Sequence, residues 1–121
     1  MDTETFEDIV VEVLDSLPPE FAQHLSNIEV LIESWPTQEH RQLVHLKPWQ
    51  TLYGLYHGVP LTKRGGYVPP LPDTIIIFRG PLTRDFSEPT KLRVQIRRTV
   101  LHEIAHFFGI SDARLIELDA Y

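Results

Sequence analysis

The sequence predicts an α+β fold for a single domain, residues 1–121, and three observations support it. The N-terminal segment repeats its apolar residues at the 3.6-residue period of a helix. Segments 28–33 and 74–78 are rich in β-branched residues, which is typical of strands. A long segment at 88–108 again has the helical period. Strands followed by a helix, in a chain whose length suits one core, imply a small mixed sheet between an N-terminal and a C-terminal helix.

The composition excludes several classes of protein. The net charge is −6 at pH 7, whereas a nucleic-acid-binding protein would favour a basic stripe. The chain has no cysteine, so it offers neither a disulfide nor a thiolate metal ligand. The first residues lack the features of a signal peptide, and the apolar runs are too short to span a membrane. We therefore expect a cytoplasmic protein that binds neither nucleic acid nor membrane.

The first predicted helix is amphipathic and about three turns long. Thr5 and Asp8 are expected to form a capping box at its start, and Pro18 stops it. A short second helix is expected from Pro19 to Leu25, with Pro19 at the first helical position. The apolar residues that repeat at helical spacing in the first helix are Phe6, Ile9, Val10, Val13, Leu14 and Leu17.

Two strands are expected before residue 58. Residues 28–33 alternate in side-chain type, which predicts a strand with one buried face. Residues 38–44 fit either a short helix or a loop. Residues 52–56 are apolar and aromatic, and they predict a second strand that ends at Gly58.

The third predicted strand, Thr74 to Phe78, has the strongest β composition of the chain. Gly80-Pro81 is expected to end it. Between the second and third strands, Gly58 to Pro72 is rich in glycine and proline and predicts a long loop. A loop of that length in a small domain is often functional.

The last long helix carries most of the chemistry of the chain. Ser87 is expected to cap it, with Pro89 in its first turn. His102 and His106 lie two positions off its apolar stripe, so they are expected to face a cleft while the stripe faces the core. The residues of that stripe, at i, i+4 spacing, are Leu92, Ile96, Val100, Ile104 and Phe108.

Residues 102–112 have the pattern of a metal site. His102 and His106 are four residues apart, which places two imidazoles on one helix face within reach of a single ion. Glu103 can take a proton from a metal-bound water. Gly109 can end the helix in a left-handed conformation, and the chain can then bring Asp112 to the metal as an oxygen ligand. Two histidines and one carboxylate suit a catalytic zinc ion, with one coordination position left for water.

Two alternatives stay open on the residues alone. One is a helix with two surface histidines and an ordinary glycine cap. The other concerns the third ligand, for which Glu117 or Asp119 can replace Asp112. Few residues follow Gly109, however, and they leave little room for a second helix that returns to the metal. His57, in a Tyr-His-Gly turn, is a further residue that can approach the site.

Several other polar residues are candidates for roles in the site. Tyr53, Tyr56 and Tyr67 can each stabilise an oxyanion, although packing is the expected role of all three. Arg97 and Arg98 are expected to form a solvated basic face of the long helix. The histidines that have no partner at ligand spacing, and are expected at the surface, are His24, His40 and His45.

Three segments of the chain resemble the small bacterial zincin-like metallopeptidases. They are LYGLYHGVPL at 52–61, LPDTIIIFRG at 71–80 and RRTVLHEIAHFFGISD at 97–112. The resemblance implies a zincin-like fold with one zinc ion per chain. By the same match His102, His106 and Asp112 are the ligands, and Glu103 is the general base that acts on a peptide or protein substrate.

The chain also departs from the larger metzincins, which carry a methionine turn beneath the zinc. The only methionine here is Met1. We therefore expect a shallow site that cleaves restricted substrates, or one that a partner protein completes. The resemblance also implies that the edge of the Thr74 to Phe78 strand pairs with an extended peptide substrate. The alternative is a non-catalytic zinc-binding or protein-interaction domain, which would need the ligands but not the Glu103 carboxylate.

Overall fold

The computed structural model describes residues 1–57 and 73–120, apart from the side chain of Asn27. Six α-helices, three strands and one 3-10 turn (Leu25–Asn27) lie within the described residues. In chain order these are α1 (Thr3–Asp15), α2 (Pro19–Ala22), β1 (Ile28–Glu33), α3 (Gln38–Leu43), β2 (Gly54–His57), β3 (Asp73–Phe78), α4 (Arg79–Asp85), α5 (Pro89–Phe108) and α6 (Asp112–Glu117).

The described strands form one mixed sheet in the order β1-β3-β2, which confirms the predicted α+β class. β1 runs parallel to β3, from the pair Ile28 and Asp73 onwards. β2 is antiparallel to β3, with Gly54 opposite Ile77. Because β3 is the central strand, both of its edges are already paired. The expectation that this strand offers an edge to a substrate is therefore wrong.

The main core lies between one face of the sheet and helices α1 and α5. Ile75 and Ile77 of β3 are fully buried on that face. The predicted stripe of α5 is buried as expected at four of its five positions, and the fifth, Phe108, is half-buried. The buried residues of α1 repeat at the predicted spacing and are Phe6, Ile9, Val10 and Val13. Burial of such side chains is worth about 1.5–3 kcal/mol each, so this layer fixes α5 against the sheet.

Helix starts differ from the sequence predictions by one to three residues. The N-cap of α1 is Asp2, whose carboxylate accepts a hydrogen bond from the Thr5 backbone N–H at 2.7 Å. Thr5 therefore lies inside the helix and does not form the predicted capping box. α5 begins at Pro89 after the N-cap Glu88, and Ser87 lies one residue outside.

Gly80-Pro81 was predicted to end β3. The strand ends at Phe78, just before these residues, and helix α4 begins at Arg79. Gly80 and Pro81 lie in the first turn of that helix, where Pro81 has no helical hydrogen bond to lose. A Cβ atom on Gly80 would overlap the Trp35 ring and lie 2.5 Å from the Ser34 carbonyl oxygen. Glycine is therefore required here by the close approach of the segment that follows β1.

The ambiguous segment after β1 forms the short helix α3, which begins with a capping box between Thr37 and His40. The predicted loop from Gly58 to Pro72 lies outside the described residues. Among the described helices, none combines the length and the apolar character needed to cross a bilayer.

Candidate active site

The candidate site lies on the C-terminal half of α5. Gly109 ends this helix with φ at 73°, and no atom of the described residues would touch a Cβ there, so among them the left-handed backbone is what favours glycine. Ser111 then caps α6 by accepting a hydrogen bond from the Arg114 backbone N–H at 3.2 Å. As a result, Asp112 stands at the first position of α6, just beyond the turn.

Three cavities meet at His102. The Asp112 cavity, of about 320 Å³, is lined by His102, Ala105, His106, Gly109, Ile110, Ser111, Asp112 and Leu115. The Tyr56 cavity, of about 390 Å³, is lined by Val44, Leu55, Tyr56, His102, Glu103, His106 and Phe107. The Arg98 cavity, of about 340 Å³, is lined by Leu52, Tyr53, Gly54, Gln95, Arg98, Thr99, His102 and Glu103.

The three predicted ligands line one of these cavities. His102 is half-buried, while His106 and Asp112 are exposed. Two imidazoles one helical turn apart and a carboxylate across the same cavity are a donor set that suits zinc. They are not drawn together, however. Within residues 1–57 and 73–120, no three His, Asp or Glu side chains are grouped closely enough to hold a metal ion.

The two alternative third ligands have other surroundings. Glu117 accepts a hydrogen bond from Arg114 at 3.0 Å, and the same arginine pairs with Glu20 of α2. Asp119 follows α6 in a left-handed conformation and is exposed. Neither lines the Asp112 cavity, the Tyr56 cavity or the Arg98 cavity, so Asp112 remains the predicted third ligand.

Glu103 lies between the Arg98 cavity and the Tyr56 cavity and is half-buried. Burial raises the pKa of its carboxyl group to about 7, against the lowering effect of a hydrogen bond from the Tyr56 backbone N–H. This hydrogen bond links the outer edge of β2 to the candidate base.

The two described tyrosines use their hydroxyl groups elsewhere. The Tyr53 hydroxyl donates to Asp85 Oδ2 at 2.6 Å, and burial together with this bond raises the pKa of Tyr53 to about 12. The Tyr56 hydroxyl donates to Asp73 Oδ2 at 2.9 Å, and its ring stacks on Phe107 at 3.7 Å. Both contacts support the packing role. Tyr67 lies outside the described residues.

The remaining histidines are less uniform than the sequence suggested. His24 stacks on Phe108 with ring centroids 3.8 Å apart, and His40 packs on Phe78 and caps α3, so neither is a simple surface residue. His45 is exposed, as predicted. His57 is also exposed and lines a separate cavity with His40.

Arg98 is the site residue that the sequence interpretation missed. It was assigned to a solvated face together with Arg97, whose Nη1 instead donates to the Leu118 carbonyl oxygen at 3.0 Å. Arg98 is half-buried and lines a cavity with His102 and Glu103. Its position four residues before His102 was the available signal, because that spacing places two side chains on the same helix face.

Comparison with known proteins identifies the family of the chain. The sequence profile of the zincin-like metallopeptidases matches residues 25–121, which cover most of the chain and all of the candidate site. The chain belongs to this family. No curated protein matches it. The small mixed sheet with an N-terminal helix and a long α5 agrees with the zincin-like fold that this membership implies.

Proposed function

We propose that the protein is a peptidase that uses one zinc ion per chain, held by His102, His106 and Asp112. Two observations support the proposal: the three side chains line one cavity, and the chain belongs to the zincin-like metallopeptidases. Two imidazoles and a carboxylate suit zinc better than magnesium or calcium. A bound zinc ion supplies a Lewis acid that polarises a carbonyl group and lowers the pKa of water.

Glu103 is the general base in this proposal. Its carboxylate accepts a proton from the attacking water and passes that proton to the leaving amine. The observation that carries this role is the shared position of His102 and Glu103, which together line both the Arg98 cavity and the Tyr56 cavity. A substrate that approaches His102 through either cavity therefore passes the Glu103 carboxylate.

The outer edge of β2 replaces β3 as the proposed substrate-binding strand. The Tyr56 backbone N–H reaches Glu103, so this side of β2 faces the candidate site. An extended peptide can pair with such an edge through its backbone, which would lay its peptide bonds across Glu103.

His106 and Asp112 are exposed, so water has access to this part of the candidate site. A large protein substrate, or a partner protein that completes the cleft, is therefore part of the proposal.

A second candidate is a domain that binds zinc or another protein without catalysis. The observation in its favour is that the described His, Asp and Glu side chains form no ready group of three metal donors, which a domain that only binds another protein does not need. Glu103 distinguishes the two candidates, because a site that only binds has no need of that carboxylate.

The test compares zinc-loaded wild-type protein with Glu103→Gln on a mixed peptide library, with the products identified by mass spectrometry. We expect Glu103→Gln to retain fold and zinc while hydrolysis falls by about 10²–10⁴-fold. Glu88→Gln is the matched control on the same helix and should cleave like wild type, because the Glu88 side chain makes no capping hydrogen bond. Stoichiometric zinc without any wild-type cleavage would favour the binding domain instead.

A further inference from the structure

We infer that Arg98 forms a carboxylate-binding subsite beside the candidate active site and thereby selects acidic or C-terminal peptide segments. Arg98 lies in α5 one turn before His102, and both side chains line the Arg98 cavity together with Glu103. The consequence for cleavage depends on the proposed peptidase function, whereas the binding of a carboxylate does not.

The Arg98 guanidinium has no partner among residues 1–57 and 73–120. Its Nε is shielded from solvent and makes no hydrogen bond, and no ion pair joins Arg98 to Glu103 or to another described carboxylate. A buried N–H group without a partner is costly, and such groups are rare in folded proteins. Arg98 is therefore an unusual residue to find in the wall of a cavity.

The other described arginines show how unusual this is. Each of them has at least one protein partner, either a carboxylate, a hydroxyl or a backbone carbonyl. They are Arg41 with Lys47, Arg79 with Ser34, Arg84 with Asp85, Arg93 with Glu12, Arg97 with Leu118, and Arg114 with Glu20. Arg98 thus stands apart from all of them, and it is also the described arginine that shares a cavity with His102 and Glu103.

The polar groups around Arg98 leave it as the anchor for a ligand in this cavity. The Thr99 hydroxyl donates to the Gln95 carbonyl at 2.8 Å and accepts from Gln95 Nε2 at 3.3 Å, so these two side chains engage each other. The Tyr53 hydroxyl is held by Asp85. Apart from His102 and Glu103 of the candidate active site, what remains to recognise a ligand in this wall is the positive charge of Arg98.

A carboxylate fits this group best. The planar guanidinium gives two parallel hydrogen bonds to a carboxylate, and such charge-assisted pairs are stronger than neutral ones. Because Nε is shielded, the two terminal nitrogens are the ones that a ligand can reach. Arg98 and His102 are four residues apart, which corresponds to about 6 Å along the helix axis. An extended peptide covers that distance in about two residues. The carboxylate therefore lies about two residues from the bond that is cleaved.

The binding test uses three probes on the full chain, in zinc-loaded and metal-free form. They are acetyl-trialanine with a free C-terminal carboxylate, its C-terminal amide, and the amide of acetyl-Ala-Asp-Ala. Binding is followed by NMR. We expect at least one carboxylate probe to bind about tenfold or more tightly than the neutral amide, and the two carboxylate probes show whether a C-terminus or an acidic side chain is preferred.

Three variants assign this preference to Arg98. Arg98→Gln should abolish the preference, and Arg98→Lys should retain part of it, because lysine keeps the charge but not the fork. Lys91→Gln, which removes an exposed charge on the same helix, should bind like wild type. Thermal unfolding checks that each variant folds, and Arg98→Lys serves as the test if Arg98→Gln does not.

The outcomes separate this inference from the proposed function. Equal binding of all three probes, no measurable binding of any, or a preference that survives the Arg98 substitutions would overturn the subsite. A carboxylate preference in the metal-free protein, with no cleavage by the zinc-loaded protein, would support the subsite and count against the peptidase. Cleavage without any carboxylate preference would leave the peptidase and remove the subsite.

Discussion

The candidate site has two sides that are held in different ways. The β2 side consists of Tyr53, Gly54, Tyr56, Thr99 and Glu103. Here strand and helix are in direct contact, because a Cβ atom on Gly54 would lie 2.6 Å from Thr99 Cγ2. The Tyr56 backbone and the buried core behind α5 fix the Glu103 carboxylate on this side.

The α6 side consists of His106, Gly109, Ser111 and Asp112, and it is mostly exposed. Its geometry depends on one glycine turn, one serine cap and the ion pairs of Arg114. Such contacts at the surface are individually weak. The comparison indicates that the base is positioned by the core, whereas the predicted third ligand is carried by a short surface helix that has room to adjust around a cation.

The largest effect is expected from loss of His102, which lines all three cavities. His102→Ala should lower zinc affinity by more than about 100-fold. Loss of a residue that only hydrogen-bonds to a ligand costs about 10–100-fold, and loss of a ligand itself should cost more. Asp112→Ala should cause a smaller loss, because both imidazoles remain. Competition with a chromophoric chelator measures the affinities, and elemental analysis should give one zinc ion per wild-type chain.

Glu117→Gln is the control for this comparison, because its carboxylate lies outside the Asp112 cavity and pairs with Arg114. It should bind zinc like wild type. A loss of zinc affinity in Glu117→Gln that equals or exceeds that of Asp112→Ala would transfer the third-ligand role to Glu117 and contradict the assignment of Asp112.

The next effect concerns packing on the β2 side. Gly54→Ala should lower the free energy of unfolding by about 1–3 kcal/mol, since the added methyl group meets Thr99 and the backbone of β3. In the double variant Gly54→Ala/Thr99→Ser the Cγ2 atom is gone, and part of the loss should be recovered. Urea unfolding of the single and double variants gives the coupling energy. If the losses of stability from Gly54→Ala and Thr99→Ser are strictly additive, the contact between β2 and α5 is not what excludes a larger residue at position 54.

On the α6 side, substitution of Gly109 should also lower the free energy of unfolding, but for a different reason. Gly109→Ala should lower the free energy of unfolding by about 1–2 kcal/mol, because alanine is strained at a positive φ, although no atom in the described part of the chain would touch its Cβ. Gly109→Asn should cost less, because asparagine adopts this conformation more readily. The same urea measurements apply. Equal losses of stability in Gly109→Ala and Gly109→Asn would indicate that backbone strain does not select glycine at this position. As a control, Thr99→Ser should restore the stability of neither variant.

Local patterns predicted much of the fold and the composition of the site. The period of α1, the stripe of α5 and the β-branched run of β3 depend on neighbours a few residues away, so the sequence reveals them directly. The spacing of His102 and His106 has the same local character. The predicted helix face is the one that lines the cavities.

Features that depend on distant residues could not be read in this way. The central place of β3 follows from its pairing with β1 and β2, which no local signal records. The start of α4 depends on Trp35 against Gly80, which are far apart in sequence. Arg98 was missed for a different reason, since a basic residue on a helix is usually solvated and its burial depends on β2.

The smallest predicted effect is a pH dependence of the free energy of unfolding that comes from Asp85, the residue that anchors Tyr53 on the β2 side. Asp85 accepts hydrogen bonds from Arg84 Nε at 2.8 Å and from the Tyr53 hydroxyl at 2.6 Å. These bonds, that of Arg84 first, lower the pKa of Asp85 from 3.8 to about 2. Because the pKa of Asp85 is lower in the folded than in the unfolded state, its ionised carboxylate stabilises the fold at pH values above the unfolded pKa. This stabilisation is lost as the pH falls from about 4 towards 2.

Asp85→Asn tests this anchor, because asparagine keeps the shape of the side chain but cannot release a proton. Wild-type protein should lose stability between about pH 5 and pH 2, and the variant should show a flatter profile because the contribution of Asp85 is absent throughout. Urea unfolding at a series of pH values measures the difference. Asp15→Asn, at an exposed position on α1, is the matched control and should follow the wild-type profile. If Asp85→Asn and wild type lose stability in parallel, the carboxylate does not anchor Tyr53 through its charge. The β2 side would then depend on the hydrogen bond from Tyr56 to Glu103 and on the packing of Gly54 against Thr99.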